Sequence, residues 1–171
     1  MRKQLARRAL TLFAALTLAG VLTETLSGCA IPGHLPVGIS RAEAVQRLGA
    51  PSATYALPGG AVRLQYAAGM QVTNVDVDAN NRVISVRDEL EESLFARTIQ
   101  IDQWHEADVL RTYGRPDDIS RVASFNGPVW AWRYRGISIS TLRYLYIYLD
   151  PQGVVRRYNT GDDPHDPLPQ I

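Results

Sequence analysis

The chain of 171 residues carries a single cysteine, Cys29, so no disulfide can form within it. Its three histidines, His34, His105 and His165, show no metal-ligand spacing, and no thiol besides Cys29 exists to complete a zinc site. Positive charge is not in excess either. Of 18 basic and 17 acidic residues, four and one lie in positions 1–28, leaving 14 and 16 in the remainder. A balance near −2 argues against nucleic acid, whose binding is dominated by clustered phosphate contacts. All 14 of those basic residues are arginine, a bias to which no function is assigned. Long apolar runs are also missing. The segment Ala9–Leu22 is uncharged over 14 residues, short of the roughly 20 that a membrane-spanning helix needs.

That segment has the length of a signal-peptide apolar region, and Arg2, Lys3, Arg7 and Arg8 supply the basic start before it. Leu26-Ser27-Gly28-Cys29 then resembles the bacterial lipobox, in which the thiol takes a diacylglycerol and the cut falls just before it. The alternative is an ordinary signal peptide with an incidental cysteine. Residues 1–28 are therefore expected to be an address, and 29–38 a lipidated tether containing Pro32, Gly33 and Pro36. The resemblance implies a membrane anchor through acyl chains on Cys29. Alanine at position 30, rather than aspartate, favours the outer membrane, lipid-anchored and facing the periplasm.

The remainder contains a repeat. Ile39 to Pro51 aligns with Trp104 to Pro116 at an offset of 65, each reading as a short helix closed by glycine with proline two residues on. Ser40 and Glu43 suit a capping box at the first start. Downstream, Leu64-Gln65-Tyr66 answers Trp132-Arg133-Tyr134, and Val75 to Asp78 answers Ile147 to Asp150, with small drifts that belong in loops. Each unit is then a helix followed by three or four short antiparallel strands. The expected fold class is α+β: two tandem units, 39–87 and 88–160, each of short helices packed on a three- to four-stranded antiparallel sheet. A polar-faced helix over 88–97 leads into the second, and 161–171, rich in Asp and Pro, is expected to be a disordered tail.

The lipobox, the helix ends Leu48-Gly49-Ala50-Pro51 and Tyr113-Gly114-Arg115-Pro116, the later Tyr66 and Tyr134, and the Asp-turn-Val segments at 78–83 and 150–154 together resemble the SmpA/OmlA (BamE-like) family of outer-membrane lipoprotein domains. The resemblance implies a helical pair packed on a small antiparallel sheet, and service in or beside the machinery that inserts β-barrels. Two units stand here where that family has one, and in this the chain is similar to the secreted β-lactamase-inhibitor proteins. The implied partner is an envelope protein, with barrel-assembly components foremost. An inhibitor-like or adaptor module for an exported enzyme or envelope component is the other reading.

Alternation along the strands separates two faces. Val62, Leu64, Tyr66, Val75 and Val77 point to one core, and Trp130, Trp132, Tyr134, Ile147 and Leu149 to the other. Opposite them, Arg63, Gln65, Asn74 and Asp76 are expected to face outward in the first unit. In the second unit the outward set is Tyr144, Tyr146 and Tyr148 near Arg133 and Arg135. Tyrosine and arginine are enriched at protein interfaces and their hot spots. These five residues are the candidate partner-binding site, although internal docking or a simple cross-strand ladder would place them the same way.

Catalytic chemistry is sparse. Nucleophilic catalysis needs a positioned base, and the sole suggestion is His105 beside Glu106 and Asp108 at a helix start, where a first-turn polar role is the simpler reading. Asp76 to Asn80 imitates the opening of a calcium loop, but Asn81 occupies the glycine place and Arg87 the final glutamate place, so it reads as a hairpin turn. Gly59-Gly60 reads as a turn as well. Glu89, Glu91 and Glu92 read as a solvated helix face. No catalytic residue, metal ligand or cofactor is assigned, and the expectation is a non-enzyme.

Overall fold

The structure, a computed structural model, describes residues 35–136 and 141–165. The leader and Cys29 lie outside the described residues, as does the tail beyond His165. Within them the repeat is visible as two units of α+β structure. The first comprises α1 (Arg41–Leu48), β1 (Ala53–Ala56), β2 (Val62–Ala68), β3 (Gln71–Val77) and β4 (Val83–Asp88). The second comprises α2 (Glu92–Thr98), α3 (Glu106–Tyr113), β5 (Asp118–Ser120), β6 (Val129–Arg135), β7 (Leu142–Leu149) and β8 (Val155–Asp162). Each sheet is a four-stranded antiparallel meander in sequence order.

Local chemistry explains the repeated outline. Ser40 caps α1 by accepting the Glu43 N–H at 3.1 Å. The reciprocal half of the expected box is absent, because the Glu43 carboxylate is held by Arg47 one turn on. Gly49 and Gly114 end the two helices with φ of 82° and 71°, beyond which proline forbids another turn. Asp78 accepts the N–H groups of Asn80 and Arg82 at 2.9 and 2.8 Å, and Asp150 those of Gln152 and Val154, both at 2.9 Å. These are the β3–β4 and β7–β8 hairpins. Asp76 is occupied by Arg63, at 2.7 and 2.8 Å, so the calcium-like string is turn and ion pair.

The two cores form from the alternation. Leu64, Tyr66, Val75 and Val77 pack under Ala44, Val45 and Leu48 of α1. Trp130, Trp132, Tyr134, Leu145 and Ile147 pack with Phe95 of α2 and with Val109 and Tyr113 of α3. Phe95 meets Tyr134 and Tyr113 edge-on at 5.3 and 6.0 Å, the arrangement ring quadrupoles favour. Burial pushes the Tyr134 phenol up to about 12, with Glu92 adding to the effect.

Three expectations need correction. Asp88 closes β4 and α2 starts only at Glu92, so Glu89 lies on a connection and not on a helix face. It is 1% exposed, between the units, accepting from Asn74 at 3.2 Å and Arg87 at 2.9 Å. Glu92 is likewise no solvated charge, since both its oxygens take Arg143 at 3.0 Å. Finally, β8 runs to Asp162, and Asp163 is buried against Arg133, so ordered structure continues past 160. The Asp-rich composition that suggested a loose tail is used there for pairing.

Candidate protein-interaction surface

The outer faces of the two sheets have different fates. In the first, Arg63, Gln65, Asn74 and Asp76 do point away from their own core, but Gln65 is only 2% exposed and Asn74 1%. The last turn of α3 lies on them. Gln65 Nε2 donates to the carbonyls of Leu110 and Arg111 at 3.2 Å, Asn74 Nδ2 to Thr112 at 2.9 Å, and the Tyr55 hydroxyl to Leu110 at 3.2 Å. The last carbonyls of a helix lack intrahelical partners, and this sheet supplies donors to those of Arg111 and Thr112 and a further donor to that of Leu110. Gly114 completes the fit, because a Cβ there would stand 3.1 Å from Gln65 Oε1. Val72, on the same face, joins the core of the second unit. The face expected to point outward is therefore the seam between the units. Alternation identifies two sides of a strand but not what covers each.

In the second sheet the corresponding face carries the candidate residues. Tyr144, Tyr146 and Tyr148 alternate along β7, and Arg133 stands opposite Tyr144 in register. All three tyrosines are half-buried at the surface. Arg135 lies on the same side one rung further and is exposed. Tyr144 and Tyr146 pack ring to ring at 5.7 Å, and Tyr146 leans over Gly161 of β8, where a Cβ would sit 3.4 Å from its ring. Burial raises the Tyr146 phenol above its ordinary range, with Tyr144 and Asp163 contributing.

Sequence reasoning missed the residues that frame this row. Arg157 of β8 places its guanidinium 3.9 Å from the Tyr148 ring centre, and Phe125 meets the same ring edge-on at 5.2 Å. Such a cation over an aromatic face is worth about 0.5–2 kcal/mol. Asp163 pairs with Arg133, whose own N–H donates to Asp117 at 2.7 Å. The His165 N–H first, and then Arg133, hold the Asp163 carboxyl below the usual carboxylate range. Carrying the outward alternation into β8 would have found Arg157; nothing in the sequence marks Phe125.

The chemical alternatives are not brought together. His105 caps α3 and is exposed, and Asp108 accepts its backbone N–H at 2.9 Å while also pairing with Arg111, so the ring gains no carboxylate orienter from Asp108. Among the described residues no three His, Cys, Asp or Glu side chains converge into a metal-holding group. Among them, too, no helix is long and apolar enough to cross a membrane.

No family model and no curated protein matches the chain. Among solved structures, a DUF4309 family protein (YjgB) from Bacillus subtilis subsp. subtilis str. 168 is similar over 72% of this chain and 78% of its own, at 9% identity and a TM-score of 0.31. A likeness of that size carries neither fold nor function across.

Proposed function

We propose that this protein is a non-catalytic, lipid-anchored binding module that acts as a scaffold or accessory on the periplasmic face of the outer membrane. Its working surface is Tyr144, Tyr146, Tyr148, Arg133 and Arg135. One observation carries the reading: of two corresponding sheet faces, the first is filled by the end of α3, while the second presents a tyrosine row with arginines at the surface. Tyrosine and arginine side chains give large contact area and are enriched among interface hot spots. The lipobox at Cys29 supports the anchor, and the resemblance to SmpA/OmlA domains makes barrel-assembly components the first partners to seek. The joined pair of units favours, as a second reading, an adaptor that grips an exported enzyme or envelope component.

Two experiments test this. A photo-crosslinking side chain at position 144 or 148, in cells producing the full chain, should capture an envelope protein; capture of none would overturn the binding role. Metabolic labelling with a fatty-acid probe should mark the wild type and not Cys29→Ser. Continued labelling of the serine variant would refute anchoring through this residue.

A further inference from the structure

The chain contains two helix ends of one shape and two sheet faces of one shape, and among the described residues one of each is mated. Gly49 closes α1 with φ 82° and ψ −167°, its N–H on the Val45 carbonyl at 2.8 Å; Gly114 closes α3 with φ 71° and ψ −162°, its N–H on Leu110 at 2.9 Å. The faces match as closely. Strand order and antiparallel pairing agree, and the register shifts at the same rung, Asp76/Val77 in one and Tyr148/Leu149 in the other. Docking on the first face buries Thr112 and Gly114 of α3, whereas their counterparts Arg47 and Gly49 of α1 are exposed.

We infer that the tyrosine face of the second sheet takes the α1 end of a second copy of this chain, an inference that rests on that face being a binding surface. Charge is complementary. A helix C-terminus presents unpaired carbonyls and the negative end of the macrodipole, and the face offers Arg133, Arg157 and three phenol hydroxyls as donors. The second face is bulkier than the first, and the α1 end is smaller than the α3 end at its exposed position 50. Tyr144 and Tyr146 stand where the first sheet has Val72 and Asn74, and the α1 end has Ala50 where the α3 end has Arg115. Arg47 replaces Thr112 and brings a guanidinium to the rings, a partner that Tyr148 already accepts from Arg157. The contact joins unlike surfaces, so copies associate head to tail, as an open row or a closed ring. Confinement to a membrane would raise the effective concentration that drives it.

A photo-crosslinking side chain in place of Tyr146, in cells producing the full chain, is expected to join segment 47–51 of a second chain. The pair Tyr146→Ala and Ala50→Trp supplies the control for folding. Each variant should self-associate at least about tenfold more weakly than wild type, yet differently tagged copies of the two, co-expressed, should form one-to-one dimers through the intact halves. Crosslinks from 146 to 146, or a mixture that stays monomeric, would overturn the inference. Crosslinks only to a different protein would overturn it while leaving the proposed function standing, and crosslinks to no protein would overturn both.

Discussion

The two units share strand order, hairpin chemistry and helix-end geometry, yet their outer faces are built from opposite materials. The first lines its face with amides and an Arg63–Asp76 pair and covers it with a helix end. The second lines it with phenols and leaves them half-buried at the surface. Polarity therefore does not mark exposure in this molecule. On the outer faces, small amides are buried because helix carbonyls need donors, and Tyr144, Tyr146 and Tyr148 stay at the surface.

Four measurements break or sharpen that contrast. The largest effect is expected for Trp132→Ala, since this ring is 1% exposed at the centre of the second core. Loss of a buried aromatic of that size costs about 3–5 kcal/mol, measurable by denaturant unfolding of the domain. A loss below about 2 kcal/mol would mean the core tolerates a cavity this packing does not suggest. Next, Gly114→Ala should cost more than Gly49→Ala. Both bear the strain of a glycine-only conformation, about 1–3 kcal/mol, but a methyl at Gly114 also meets Gln65 while none of its neighbours crowds Gly49. Equal losses would mean that the seam yields freely.

Smaller is the pair Asn74→Ala and Tyr146→Ala. Removing Asn74 strips a donor from the Thr112 carbonyl and from buried Glu89, and buried groups left unpaired cost about 1–3 kcal/mol. Removing the half-buried Tyr146 should cost about 1 kcal/mol or less, so the smaller side chain matters more. The reverse order would dissolve the contrast between the faces. The smallest effect is one of pH. The Asp163 carboxyl is held below its unfolded value, first by the His165 N–H and then by Arg133. Its contribution is complete above about 3.9, the unfolded value, and is lost as pH falls through the lower folded one. Asp163→Asn should flatten that acid limb of the stability curve; an unchanged limb would show the pairing to be idle.

Much of the architecture was legible in the sequence. Apolar alternation placed Leu64, Val75, Trp132 and Ile147 in their cores, and the glycine–proline endings located both helix stops, because these signals are local. The seam was not legible. Gln65 and Asn74 look like solvent-facing residues, and only a partner far along the chain gives them another use. Glu89 looks exposed for the same reason, its helix assignment resting on composition where the backbone has left β4 but not yet entered α2. At the candidate surface the tyrosines and Arg133 came from register alone, whereas Phe125 reaches Tyr148 from a loop, where no periodicity operates.

The amide lining of the first sheet has a consequence for how the chain is made. Synthesis delivers the first unit before the second, so β1–β4 can be complete while α3 is still to come. During that interval Gln65, Asn74 and the Arg63–Asp76 pair face water, which solvates them as well as the α3 carbonyls later will. An apolar face in the same place would be a sticky nascent sheet, prone to capture by other unfinished chains. Side chains that hydrogen-bond to solvent as well as to a helix end keep that face wettable until α3 closes on it.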